Sequence, residues 1–291
     1  MRKLEDFLNA KVYLEKIPNE VSAPTNYMCF AGAWYYKALS AKDMWLGMEA
    51  LVTLPKFDAD EDRYDMIKEA IDKDEPIKRY KDTPSIYLGG SSDHETDIGL
   101  GWFRGFLDGE FTKTKIAYRP FYRYIYEEDG KEINKYIGPS IRETEYYYFP
   151  GDTVKLSVFC VNDNMLRLKI ELLEETKVEE FVKIRSRLNP NKPYISPDFP
   201  APGNGVRPSE YKRVNAIDQY GNEGRPTQMT KAVVNKCTWE EVYLFREVDG
   251  KIVKVPYTEN RYIKMLCPNP EAFKITNDGI KQTVIINPSQ K

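Results

Sequence analysis

Residues 150–174 read PGDTVKLSVFCVNDNMLRLKIELLE, and this stretch decides the fold class. Apolar side chains recur at every second position on both sides of the turn NDN: Val154, Leu156, Val158, Cys160, Leu166, Leu168 and Ile170. Successive side chains of a β-strand point to opposite faces, so this alternation predicts two strands with one core face each. The turn residues at 162–164 join them into a predicted β-hairpin whose other face lies in solvent.

Strand-like runs continue on both sides of this hairpin. They are SIYLGG (85–90), ETDIGLGWF (95–103), IAYRPFYRYIY (116–126), TEYYYF (144–149) and QTVIIN (282–287). Gly, Asn and Asp turns separate such runs at the spacing typical of a sandwich, and long helical stripes are scarce. The sequence therefore predicts an all-β fold, an antiparallel β-sandwich.

Three segments interrupt the strand pattern. Tyr64, Ile67 and Ile71 fall on one helical stripe that ends before Pro76, which predicts one inserted helix near residues 60–72. Six prolines between residues 187 and 208 predict an extended surface loop. Residues 1–25 are expected to form an N-terminal appendage, and residues 26–291 a single sandwich domain.

Composition limits the function classes. The 291 residues include 43 basic and 45 acidic side chains, and because a nucleic-acid surface needs clustered excess Lys and Arg, we expect no nucleic-acid partner. With 41% hydrophobic and 30% charged residues, the chain has enough apolar material for a core but is not a membrane protein by composition. The only histidine, His94, excludes sites that need two imidazoles, and we expect no metal and no other cofactor.

The positions of the cysteines indicate whether the protein works in a reducing or an oxidising compartment. Cys29, Cys160, Cys237 and Cys267 are dispersed and form no CxxC pair. The N-terminal residues MRKLEDFLNAKVYLEKIP carry charges where a signal peptide would be apolar. We therefore expect four reduced, buried thiols in a protein that is cytoplasmic or exported without a signal peptide.

The segment HETDIGLGW (94–102) is the most informative one for function. On a strand, Glu95, Asp97, Gly99 and Gly101 share one face. Glycine weakens a strand interior unless something approaches the backbone closely, so this face is predicted to be the floor of a cleft. Paired carboxylates on a concave sheet are what glycoside hydrolases use. The same two carboxylates could instead form ion pairs with Lys or Arg across the sheet.

A second pattern extends over about half of the chain. VTLP (52–55), YLGG (87–90), DIGLGW (97–102), YRPFYRY (118–124) and YYYFPGDTVKLSV (146–158) follow in an order that resembles the eqolisin glutamic peptidases. The resemblance implies a concanavalin A-like jelly roll. It also places Asp97 where that family has its catalytic glutamine and Arg123 where it has its catalytic glutamate, facing each other across one groove. Arginine does not act as a general base, so that family's mechanism is not expected here.

The leading hypothesis is a non-catalytic, ligand-binding sandwich of lectin-like character that contacts a glycan or another small polar ligand. The expected ligand-binding residues line a concave groove: Glu95, Asp97, Trp102, Tyr118, Tyr122 and Arg123. Aromatic rings stack on sugar rings, and polar groups then fix the hydroxyls. One alternative is a hydrolase, a glycosidase before a peptidase, that uses Glu95 or Asp97. Another is a structural or assembly protein whose tyrosine-rich sheet face binds a protein partner.

Overall fold

Strands dominate the computed structural model, which describes residues 2–67, 77–107 and 110–290. The strands before residue 140 are β1 (Lys11–Val12), β2 (Ala33–Ser40), β3 (Trp45–Thr53), β4 (Lys56–Asp58), β5 (Tyr64–Ile67), β6 (Ile77–Tyr80), β7 (Asp82–Ser91), β8 (Thr96–Leu107), β9 (Glu110–Glu128) and β10 (Lys131–Ile137). Those after it are β11 (Thr153–Phe159), β12 (Met165–Glu174), β13 (Tyr194–Ile195), β14 (Phe199–Pro200), β15 (Glu210–Gln219), β16 (Val233–Val248), β17 (Lys251–Pro256), β18 (Tyr262–Cys267), β19 (Phe273–Asp278) and β20 (Lys281–Ile286). The helices are α1 (Leu4–Leu8) and α2 (Glu179–Arg185), with 3₁₀ turns at Thr144–Tyr146 and Pro270–Ala272. Within the described ranges, none of the helices has the length and apolar character needed to cross a membrane.

Two large sheets form the sandwich. The seven-stranded sheet has the order β10-β9-β8-β7-β15-β2-β18. The eleven-stranded sheet follows the path β1-β17-β16-β3-β11-β12-β13, with β4, β14, β19 and β20 attached to it. Its strand β1 pairs with β17 in parallel, whereas the long strands of both sheets pair antiparallel. The predicted all-β sandwich is confirmed.

The core between the sheets follows the alternation seen in the sequence. Val154, Leu156 and Val158 of β11 are fully buried, as are Leu168 and Ile170 of β12. Strand β11 pairs with β12 on one side and with β3 on the other, so it lies inside the eleven-stranded sheet and not at its edge. A strand in that position must bury one face completely, which is why the alternation is so regular.

The N-terminal residues belong to this core, which corrects the expectation of an appendage. Phe7 of α1 is fully buried and contacts Phe159 and Phe245 at ring-centroid distances of 5.4 and 5.2 Å. Ile17 is buried as well, and β1 adds a strand beside β17. Helix α1 has only five residues and cannot bury its own apolar face, so it packs against the sandwich.

The helix predicted near residues 60–72 is wrong where the structure describes this segment. Tyr64–Ile67 forms β5 and pairs with β6. An ion pair between Arg79 Nη2 and Asp65 Oδ2 (3.2 Å) links the two strands. The rest of the predicted helix, from residue 68 onward, lies outside the described residues. Four residues are about one helical turn, which is too short for periodicity to separate a helix from a strand.

The proline-rich stretch 187–208 runs along the sandwich. Its two-residue strands β13 and β14 both pair with β12. Phe199 within the stretch is buried and stacks on Tyr122 with ring centroids 4.7 Å apart. Proline is accepted in such short edge pairings because it still offers its carbonyl group. Strands from both sides of the stretch occur in each sheet, so it joins parts of one sandwich.

The expectation of four free thiols is wrong. Cys29 and Cys267 form a disulfide with their Cα atoms 5.8 Å apart, whereas Cys160 and Cys237 are free and buried. The bridge ties the segment before β2 to the end of β18, 238 positions away in the sequence. Because β2 and β18 are sheet neighbours from distant parts of the chain, cysteine spacing gave no sign of the pair.

Thiol titration of the denatured, never-reduced protein should therefore find two free thiols, and four after reduction. Replacing both bridged residues, Cys29→Ser with Cys267→Ser, should lower the free energy of unfolding by about 2–4 kcal/mol, because the unfolded chain is no longer cross-linked. Urea unfolding of the two proteins measures this difference. Four free thiols before reduction would contradict the bridge.

Candidate functional site

The candidate site lies on the outer face of the seven-stranded sheet. Ile98 and Leu100 of β8 point into the core, so Asp97 and Gly101 point outward. A groove of about 510 Å³ opens on this face, and β7, β8, β9, β10 and β15 all contribute to its lining. Because these are adjacent strands, residues distant in sequence meet at fixed register positions.

Five charged side chains of alternating sign run across this face: Glu95, Lys212, Asp97, Arg123 and Glu223. Lys212 Nζ donates to Asp97 Oδ1 (2.6 Å) and also to Glu95. Arg123 donates from Nη1 to Asp97 Oδ2 (3.3 Å) and from Nη2 to Glu223 Oε1 (3.0 Å). Asp97 and Arg123 are directly opposed in the β8–β9 register, so the expected pairing of these two residues is confirmed. We call these five residues the charge chain.

Burial and opposite charges together fix the ionisation of the charge chain. Burial alone would lower the pKa of Lys212, whose side chain is 6% exposed, but Asp97 and Glu95 outweigh burial and raise it. The Lys212 ammonium in turn, against the effect of burial, lowers the pKa of Glu95 to about 2. For Arg123, Asp97 and Glu223 similarly outweigh burial and raise the pKa. Glu95, Lys212 and Arg123 are thus charged at neutral pH.

Aromatic rings line the groove beside the charge chain. Phe121 of β9 and Tyr136 of β10 stack with centroids 5.1 Å apart and an interplanar angle of 8°. Tyr87 of β7 meets Phe121 edge-on at 6.0 Å. The Tyr136 residue is 67% exposed, which leaves ring surface open to solvent. The groove therefore combines a flat apolar surface with fixed charges.

The two glycines of β8 have different roles. A Cβ atom at Gly99 would lie 2.5 Å from the Ile86 carbonyl oxygen and 2.7 Å from Tyr87 Cβ, so packing with β7 requires glycine there. At Gly101 the nearest atom would be Phe121 Cδ1 at 3.4 Å, an ordinary contact. Gly101 lines the groove, and its missing side chain is what keeps that part of the floor open.

Three charged residues of this face were not predicted from the sequence: Lys212 and Asp218 of β15, and Glu223 after its end. Asp218 lines the groove, and burial raises its pKa to about 6, with Asp97 and Glu223 adding to the rise. The run RVNAID (213–218) predicts a strand, but the strand's partners were unknown. Positions 212 and 218 have the same parity, so alternation would have placed both on one face.

Tyr118 and Tyr122 do not line the groove, which corrects their prediction as ligand contacts. They oppose Trp102 and Ile98 in the β8–β9 register and are buried in the core. Tyr118 Oη donates to the Pro55 carbonyl oxygen (3.0 Å). Since Arg123 faces the groove, alternation along β9 forces even-numbered positions 118 and 122 to the other face. Trp102 borders one end of the groove, but its ring packs edge-on against Tyr118 at 4.7 Å.

No protein-family model and no curated protein sequence matches this chain. Among solved structures, the chain is similar to scytalido-glutamic peptidase with a transition state analog inhibitor, at 12% identity over 87% of this chain and 97% of that one, with a TM-score of 0.46. It is also similar to SCP-B of the eqolisin family of peptidases, in complex with a tripeptide (12%, 87%, 97%, TM-score 0.31). A beta-porphyranase from the human gut bacterium Bacteroides plebeius matches 66% of this chain and 54% of its own at 13% identity, with a TM-score of 0.18. These likenesses concern the fold, and no residue role is taken from them.

The depressed pKa of Glu95 makes a testable contribution to acid stability. Its value is about 2 in the folded protein against an ordinary value of 4.5, so the unfolded chain binds more protons between these pH values. The stability advantage of the wild type over Glu95→Gln should be complete above about pH 5 and disappear near pH 2. Because the Glu95 side chain is half exposed, we expect no more than about 1 kcal/mol. Urea unfolding across this pH range measures it, and an advantage that grows as the pH falls would contradict the Lys212–Glu95 pair.

Proposed function

We propose that the groove binds a carbohydrate and does not cleave it. The observation that carries this proposal is the engagement of Asp97, whose two carboxylate oxygens face Lys212 and Arg123. A carboxylate that bridges two cations is a poor acceptor for a proton from water. Glu95, with a pKa of about 2, is ionised near neutral pH and has no proton to give to a leaving group. Both carboxylates that a hydrolase could use, Asp97 and Glu95, are therefore engaged in ion pairs and unsuited to proton transfer.

The shape and chemistry of the groove favour a sugar as the ligand. The open ring of Tyr136, held flat by its stacking on Phe121, offers a platform for the apolar face of a pyranose. Asn134, beside it on β10, accepts from Arg123 Nε (3.1 Å) and lines the same groove. A few fixed polar groups around an aromatic surface are the usual means of orienting sugar hydroxyls.

The proposal predicts that the Tyr136 ring contributes to affinity. Tyr136→Ala should weaken binding about fivefold, equivalent to roughly 1 kcal/mol, because the stacking surface is lost. The matched control is Ile137→Ala, since Ile137 is exposed, follows in the same strand and points to the opposite face. A panel of neutral and acidic oligosaccharides on an array identifies a probe, and calorimetry with that probe compares the variants. Failure of every oligosaccharide to bind, or equal losses in both variants, would contradict the proposal.

One observation favours a second candidate, a glycoside hydrolase. Asp218 lines the groove and has a pKa of about 6, the range in which a carboxyl group can act as a general acid. Glycoside hydrolysis needs such an acid together with a second carboxylate.

Release of reducing sugar at pH 6 by the wild type and by Asp218→Asn separates the two candidates. The non-catalytic proposal expects no release by either protein. Release that Asp218→Asn abolishes would support the hydrolase and overturn a purely binding role.

We infer further that the protein works in an oxidising compartment. The support is the Cys29–Cys267 disulfide, since such bridges persist outside the reducing cytosol. Trapping of free thiols with an alkylating reagent at the moment of cell lysis tests this. Four alkylated cysteines per chain would favour the cytoplasm instead.

A further inference from the structure

A second cavity, also about 510 Å³, opens elsewhere on the sandwich and shares no lining residue with the groove. Its walls come from β15, β16, β17, β18 and the turn between β19 and β20. Arg213 lines it together with Tyr257, Tyr262 and Gln282, all buried. Arg213 lies on the core face of β15, one position from Lys212, so this cavity reaches in between the two sheets. We call it the arginine cavity.

The Arg213 guanidinium is only partly satisfied by its surroundings. Arg213 is 3% exposed, and its Nη2 donates to Gln282 Oε1 (2.6 Å). Nε and Nη1 are shielded from solvent and have no hydrogen-bond partner among the described residues. Nor does any acidic side chain in residues 2–67, 77–107 and 110–290 pair with it. Arginine stays protonated in proteins, so this is a buried positive charge without a counter-charge.

Aromatic rings around Arg213 offset part of that charge. Arg213 Cζ lies 5.2 Å from the Trp239 ring centroid, 5.6 Å from Tyr262 and 6.0 Å from Tyr36. Ring faces attract a cation, but they give its N–H groups no acceptor oxygen. A carboxylate, in contrast, supplies both a negative charge and two acceptors in the geometry of a guanidinium.

The mouth of the cavity indicates which kind of anion fits. Leu14 and Ile280 line it and are strongly exposed, Ile280 at 72%. Glu241 and Glu259 also line it; Glu241 accepts from Tyr243 Oη (3.2 Å), and Glu259 accepts from a lysine. The lining also includes Lys281, so it holds two acidic and two basic side chains and offers no excess positive charge for a multiply charged anion such as phosphate. Exposed apolar side chains favour a ligand with an apolar body.

We propose that the arginine cavity binds a small monocarboxylate with an apolar body, its head group on Arg213. A volume of about 510 Å³ suits a small molecule. Because Nε and Nη1 are shielded, binding of the carboxylate requires the guanidinium to reorient toward the cavity. The site is independent of carbohydrate binding in the groove, so either proposal can fail without the other.

Calorimetry on the full chain with phenylacetate and octanoate as probes tests the charge requirement. Both carboxylates should bind, and neutral phenylacetamide should bind at least tenfold more weakly than phenylacetate. Each carboxylate should also raise the melting temperature, since it binds only the folded protein. Absence of carboxylate binding, or equal binding of phenylacetamide, would overturn the proposal.

Single substitutions then test whether phenylacetate binds in the arginine cavity. Arg213→Met keeps an unbranched side chain of similar length without the charge, and it should reduce phenylacetate affinity at least tenfold. Ile280→Asp places a negative charge at the exposed mouth without disturbing the core, and it should weaken binding severalfold. The matched control is Val206→Asp, an exposed position outside the cavity lining, with affinity unchanged within twofold. If Arg213→Met is unstable, Ile280→Asp still decides, because undiminished affinity in that variant would overturn the location.

Discussion

Along the strands of the seven-stranded sheet, side chains alternate between a face that packs in the core and a face that points away from it. Strands β2, β7, β8 and β9 of this sheet each bury one set of side chains between the two sheets, as Ile98 and Leu100 do in β8. The set on the other face is then released from the core and gathers into a groove. Asp97 and Gly101 reach that groove only because their sequence neighbours are committed to packing. The alternation that places apolar side chains in the core therefore also places the groove residues on the opposite face.

The charged side chains of the charge chain can be partly buried because each lies next to a side chain of opposite charge. Lys212 would be costly to bury alone, and its contacts with Asp97 and Glu95 make its ionised form the stable one. The same contacts make those two carboxylates poor candidates for accepting or donating a proton in catalysis. Arg123 contacts the other oxygen of Asp97, so that both oxygens of this carboxylate face a cation. This engagement of Asp97 and Glu95 by cations is the physical basis for proposing a binding groove.

Local patterns in the sequence predict the sandwich because it depends on alternation within single strands, whereas the Asp97–Arg123 pair was expected from the order of motifs that resembles the eqolisins. Local patterns do not predict which strands become neighbours. Lys212 was therefore missed as the partner of Asp97, and so was the bridge between Cys29 and Cys267. Tyr118 and Tyr122 were misplaced because a strand's parity defines two faces without saying which one is buried.

Segments with weak periodicity were the other source of error. Residues near Tyr64 fit a helix and a strand almost equally, and ion pairing between Asp65 and Arg79 favours the hairpin. Phe7 sits in a short amphipathic turn whose burial depends on Phe159 and Phe245, far along the chain. In both cases a tertiary contact outweighs the local preference.

A double-mutant cycle measures directly whether the Lys212 ammonium and the Asp97 carboxylate are energetically coupled. Urea unfolding at pH 7 of the wild type, Lys212→Met, Asp97→Asn and the double variant yields their coupling free energy. For a buried pair at 2.6 Å we expect at least about 1 kcal/mol. A coupling free energy near zero would mean that Lys212 does not hold Asp97, and it would contradict an ion-paired binding surface at the groove.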